Sequence, residues 1–138
     1  MYVRSNKTHS ALKKLIYILL IGIVAACSGS NEDTRAADAA KAYYDSLFAG
    51  RADIFISGHF DSDSMPQKYL NERIDNAKMF VEQQKEEHRG IISVRISRSE
   101  LNDSLHTANV FLIFCYGDST NEEVVVPMVE RNGEWRMR

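Results

Sequence analysis

His59-Phe60-Asp61-Ser62-Asp63 sets an imidazole, a hydroxyl and two carboxylates within one short stretch of chain. In an extended segment alternate residues share a side, so His59, Asp61 and Asp63 would offer three ligands to a metal ion. Helix capping accounts for the same residues more simply. Asp61 to Ser64 precede an expected helix, where acids and hydroxyls satisfy orphan N–H groups and the positive end of the helix dipole. A calcium loop of the D-x-D-x-D-G type also needs an acid or amide at 65 and glycine at 66, where this chain has Met65 and Pro66. No metal or other cofactor is therefore expected. Asp103 falls in a turn and His106 at a strand start, both solvated positions. Cys115 lies in the most apolar strand with no basic residue close in sequence, which predicts a buried, inert thiol. No glycine-rich phosphate loop, nucleophile elbow or H-E-x-x-H pattern occurs.

One residue carries a sharper signal. Leu15 to Ala26 is an uncharged apolar run behind Lys13-Lys14, and it ends at Cys27. A basic n-region, a short apolar core and small residues at the cut describe an export signal, and the run is too short to span a bilayer comfortably. Val24-Ala25-Ala26-Cys27 resembles the bacterial lipobox, in which the cysteine thiol takes a diacylglyceryl group and becomes the new N-terminus. The competing readings are an uncleaved anchor and a buried core helix. The chain of 138 residues has a formal charge of −2, and its first 27 residues hold four cations and no acid, which leaves −6 on the remaining 111. An acidic mature chain disfavours nucleic acid as a partner. Its expected partner is a lipid bilayer, reached through acylated Cys27, at the outer membrane or cell surface of a Gram-negative bacterium. The expected organisation is a signal peptide over 1–26, the lipidated Cys27 with a flexible polar tether over 27–35, and one domain over 36–138.

That domain must position any site. Thr34 is placed to cap a helix whose apolar residues Ala37, Ala40, Tyr44, Leu47 and Phe48 recur at a 3.6-residue period, with Gly50 ending it. A short helix is expected from Asp53. Ser64-Met65-Pro66-Gln67 reads as a capping box opening a long amphipathic helix through Leu70, Ile74, Ala77 and Val81 to about His88. After Gly90 the period changes to 2. Ile92, Val94 and Ile96 alternate with Ser93, Arg95 and Ser97, and Thr107 to Tyr116 reads as a central strand covered on both faces. Val124 to Val129 is a third strand, in which Pro127 demands an edge, a bulge or an outward N–H. Asn132-Gly133 signals a hairpin to Trp135.

Helices followed by strands imply an α+β fold, about three helices packed on one face of an antiparallel sheet of about four strands. This order, with Ala-Tyr-Tyr-Asp-Ser-Leu-Phe-Ala-Gly-Arg-Ala-Asp at 42 to 53 and Val-Pro-Met-Val-Glu-Arg-Asn-Gly-Glu-Trp-Arg-Met at 126 to 137, resembles bacterial lipoprotein domains of the nuclear transport factor 2-like superfamily. The resemblance implies a cone with a curved sheet, covers about residues 36 to 138, and extends to relatives of unknown function, some labelled lumazine-binding. Enzymes of that superfamily carry an acid or base on the sheet's inner face. The expected strand interiors here hold none, so a non-enzymatic binding or interaction domain is expected. The alternatives are a small-molecule-binding or enzymatic cone, and an envelope component that dimerises through its sheet face. For an apolar ligand in the cone, Tyr44, Asn109 and Tyr116 are the candidate lining residues among a chain otherwise rich in core aromatics.

Metabolic labelling with a fatty acid tests the anchor. Cys27→Ala should abolish label incorporation and leave the chain unprocessed or released, and continued labelling of the variant would contradict acylation at Cys27.

Overall fold

Alanines at 36, 37, 39 and 40 favour helix and keep its inner face thin. The computed structural model describes residues 32 to 138, and in it α1 runs Glu32–Phe48. The helix thus starts inside the stretch expected as tether, and Thr34 lies within its first turn instead of capping it. Arg35 explains part of the extension: its guanidinium donates to the Gly133 carbonyl at 2.9 Å, tying the start of α1 to the last hairpin. Cys27 and the export segment lie outside the described residues. Among the described residues no helix is long and apolar enough to cross a membrane.

Gly50, at φ +86°, ends α1, and the short α2, Ala52–Ser57, follows. Gly58 is required sterically, because a Cβ there would sit 2.4 Å from the Tyr43 ring. α3 is Gln67–His88, preceded by a single 3-10 turn at Ser62–Ser64. The expected capping box does not form. Proline disfavours the helical region for the residue before it, and Met65 is extended, so helix begins only at Gln67 and Ser64 stays one turn upstream. Ser64 instead donates to the Asp61 carbonyl at 2.9 Å. At the other end Arg89 and Gly90 both take positive φ, and the Arg89 and Gly90 amides return to the Gln84 carbonyl.

Four strands form one antiparallel sheet in the order β1-β2-β3-β4: β1 Ile91–Asn102, β2 Thr107–Tyr116, β3 Asn121–Arg131 and β4 Glu134–Met137. A 3-10 turn at Asp103–Leu105 joins β1 to β2, and Asn132-Gly133 makes the tight β3–β4 turn with both residues at positive φ. Register shifts at Ile92 and Ser97 mark bulges, which bend β1 and its sheet. Bulging also turns Ile92 out of the expected inward series, leaving it 73% exposed. The Pro127 carbonyl accepts from the Arg138 amide at the end of the β4 ladder, so its missing N–H falls on that side, beyond the last strand pair Met128–Met137.

β2 is interior to the sheet, but within this chain it is covered once rather than twice. Ala108, Val110, Leu112, Phe114 and Tyr116 are buried beneath the helices, while Phe111, Ile113 and Cys115 on the outer face are only half-buried. The core joins that inner row to Ala36, Ala37 and Ala40 of α1 and to Val126, Met128, Trp135 and Met137. Tyr43 donates to the Trp135 carbonyl at 3.1 Å, closing α1 onto β4.

Trp135 is 4% exposed. Trp135→Ala should lower unfolding free energy by about 3–5 kcal/mol in denaturant titration, and an unchanged midpoint would show that the ring is not core.

Candidate functional site

Between α3 and the inner face of the sheet lies a cleft of about 370 Å³. Tyr44 and Leu47 of α1, Phe55 of α2, Ala77 and Phe80 of α3, Phe114 of β2, and Glu122 and Val124 of β3 line it. Helical spacing puts Tyr44 and Leu47 on one face of α1, and Ala77 and Phe80 on one face of α3. The cleft exists because α3 does not close down on the sheet. Of its 22 residues only Ala77 and Gln84 are buried, and the smallest of these faces the gap. The rings brace one another: Tyr44 meets Phe55 at 5.0 Å and Phe114 at 5.2 Å between centroids, and Phe48 meets Phe114 edge-on at 5.2 Å. Burial pushes the Tyr44 phenol above its ordinary pKa.

Glu122 overturns the expectation that the inner face carries no acid. β3 starts at Asn121 and ends at Arg131, longer at both ends than the expected 124–129, and Glu122 pairs with Phe114 on the inner face. At the far end Glu130 pairs with Trp135, again on that face. Charged residues at the strand ends read as loop, yet the ladder continues through them. Tyr116 donates to Glu122 Oε2 at 2.5 Å. Burial, and then the bond to Glu122, raise the Tyr116 phenol far above its ordinary range, so it acts as a fixed donor.

Behind this pair, His88 at the end of α3 lies 4.5 Å from the Tyr116 ring, and its Nδ1 is 2.9 Å from Asp118 Oδ2. Asp118 Oδ1 accepts from the Thr120 amide at 3.0 Å and from its hydroxyl at 2.5 Å. The Thr120 hydroxyl first, and His88 second, hold the Asp118 carboxyl down at about 2.

Two other hollows have different chemistry. A groove of about 560 Å³ between α1, α2 and α3 is lined by Lys78, Glu82 and Lys85 beside apolar residues, with Lys85 paired to Glu82 at 2.6 Å. One of about 290 Å³ at the opposite end of the sheet is lined by Leu101, Asp103, His106, Glu130 and Trp135, with His106 Nδ1 at 3.6 Å from Glu130. His106 is exposed, as expected for its place at the strand start.

Of the three candidate lining residues, Tyr44 borders the cleft and Tyr116 stands one step behind it, holding Glu122. Asn109 is on the outer face, exposed between Glu100 and Pro127. Its odd position separates it from Tyr116, since residues an odd number apart on an unbulged strand point to opposite faces. Strand parity alone was the signal that could have removed it.

The His59 to Asp63 segment is turned rather than extended, so its side chains do not converge. His59 Nδ1 lies 3.2 Å from the Phe55 carbonyl, and burial, then Arg73, lower its pKa. Neither acid caps a helix: Asp61 is 3.5 Å from Arg73 and Asp63 is 3.0 Å from Arg136. Cys115 departs from expectation too. Sitting half-buried on the outer face, it has its pKa lowered by the Ser93 hydroxyl directly across the strand pair and by Arg95. Cross-strand neighbours distant in sequence supply what the local sequence lacked.

No protein-family model matches the chain, and no curated protein matches it in sequence. Among solved structures, the 2.00 Å crystal structure of a Campylobacter jejuni protein provisionally named an NTF2-like transpeptidase superposes with a TM-score of 0.54 at 13% identity. The match covers 72% of this chain and 94% of that one. At that identity the likeness is one of fold: three helices on an open four-stranded antiparallel sheet, the NTF2-like α+β cone.

Asp118 gives this region a pH signature. A depressed folded-state value stabilises the fold above the unfolded carboxyl's 3.8, and that stability is lost as pH falls through about 2. Melting temperatures between pH 4 and 2 should therefore fall less steeply in Asp118→Asn than in the parent chain, and identical slopes would contradict this role.

Proposed function

We propose that this chain is an exported, lipid-anchored cell-envelope protein whose domain binds a small molecule with an apolar body in the cleft beneath α3, without turning it over. The lipobox-like run ending at Cys27 supports export and acylation. The observation that carries the binding role is the cleft itself, at about 370 Å³ lined by Tyr44, Phe55, Phe80 and Phe114 with the carboxylate of Glu122 on its rim. Ligand sites are concave, mostly apolar and furnished with a few oriented polar groups, and this cleft has that composition.

Binding rather than turnover is favoured by the same lining. Transpeptidation, the activity in the neighbour's provisional name, needs a nucleophile to carry an acyl group, and the described residues that line the cleft include no serine, threonine or cysteine. Glu122 already accepts a hydrogen bond from the Tyr116 hydroxyl on Oε2, which fixes the carboxylate's orientation and suits it to recognition. A second reading, self-association through the sheet, is favoured by the outer face, where Val125 is 52% exposed beside half-buried Phe111 and Ile113.

Equilibrium dialysis of 2-naphthol against the full chain in neutral detergent micelles, with empty micelles as blank, tests the binding role. Saturable binding is expected, weakened about tenfold or more by Val124→Phe, which fills the cleft with circular dichroism unchanged. Binding that is absent, or indifferent to the substitution, would contradict it.

A further inference from the structure

The cleft joins four aromatic rings to one carboxylate, and that combination selects a charge as well as a shape. Aromatic faces carry negative quadrupole potential and attract cations, most strongly where water is excluded. Tyr44 of α1, Phe55 of α2, Phe80 of α3 and Phe114 of β2 border the space, and Glu122, exposed to solvent, stands on its rim. Tyr116 fixes that carboxylate through Oε2, leaving Oε1 with no hydrogen-bond donor among the described residues. Among the described residues no basic side chain lines the cleft; Lys78 and Lys85 on α3 border the separate helical groove. The nearby His88 is engaged with Asp118 and stacked on Tyr116. An anion entering here would meet Glu122, with Asp118 behind it, and find no cation in the lining. The residues after Cys27 carry a formal −6, so the long-range field draws cations as well.

We infer that the ligand of this cleft is a small organic cation, an aryl or alkyl ammonium whose apolar body lies among Tyr44, Phe55, Phe80 and Phe114 and whose charged nitrogen meets Glu122. This rests on the cleft being the ligand site. The ammonium donates to Glu122 Oε1 while the rings stabilise its flank. Tyr116 acts as a positioning residue, holding the carboxylate toward the cleft without touching the ligand.

Calorimetric titration of the full chain in neutral micelles with three phenylalkyl probes of similar size separates the terms: phenethylammonium, 2-phenylethanol and 3-phenylpropionate. Phenethylammonium should bind about threefold or more tighter than 2-phenylethanol, the difference that a solvent-exposed charge pair and a cation–π contact provide together, and 3-phenylpropionate should bind weakest. Glu122→Gln should abolish the ammonium preference while keeping 2-phenylethanol and 2-naphthol binding, which also reports an intact cleft. Tyr116→Phe should reduce the preference in part, and added salt should narrow it in the parent chain. Equal affinities for the three probes, or an ammonium preference unchanged in Glu122→Gln, would overturn the inference while leaving the cleft as a binding site. Failure of every probe, 2-naphthol included, would overturn both.

Discussion

Every second residue of β2 from Ala108 to Tyr116 faces the helices, and all five are buried. The rest of the domain is arranged around that row. α1 approaches it closely because Ala36, Ala37 and Ala40 have almost no side chain to hold it off. Farther along, the same helix presents Tyr44, Leu47 and Phe48, and the rings of Tyr44 and Phe48 prop the helical layer away from Phe114. One helix therefore seals the sheet at its thin end and opens it at its aromatic end. The cleft follows from that gradient in side-chain size.

α3 spans the open end with unequal restraint. Its C-terminus is tied to the β2–β3 turn by backbone bonds from Asp118 to the His88 carbonyl and from Gly117 to the Gly90 carbonyl, and by the His88–Asp118 pair. Glycine is needed at 117, since a Cβ there would lie 2.4 Å from the Arg89 carbonyl oxygen. The middle of α3 contributes Ala77 and Phe80 to the cleft and leaves Met79 69% exposed. A helix anchored at its end and lightly packed along its length is a suitable wall for a site that must admit a ligand. The ring-on-ring contact of His88 with Tyr116 links that anchor to the Glu122 carboxylate on the cleft's rim.

Much of this was legible in the residues before any coordinates. The 3.6-residue pattern of Tyr44, Leu47 and Phe48, the shift to period 2 after Gly90, and the Asn132-Gly133 turn carry the α+β order and the hairpin. What escaped were features set by partners far away in sequence. Glu122 falls outside the strand expected over 124–129 because hydrophobicity marks only the buried middle of a strand, whereas backbone pairing to Phe114 extends the ladder past it. Met65 and Pro66 broke an apparent capping box through backbone sterics that a four-residue motif does not express. The acids at 61 and 63 found Arg73 and Arg136, and the thiol at 115 found Ser93 and Arg95, all across elements. Asn109 is the exception: seven residues from Tyr116 on one unbulged strand, it falls on the opposite face by parity alone.

The central claim is where a ligand sits, and intermolecular nuclear Overhauser effects read that directly. With 2-naphthol bound to full-length chain carrying labelled Phe and Tyr, the account predicts cross-peaks from the probe to the rings of Tyr44, Phe55, Phe80 and Phe114. Cross-peaks to Phe111 on the outer face instead, with none to those four rings, would contradict it and move the site to the open side of the sheet.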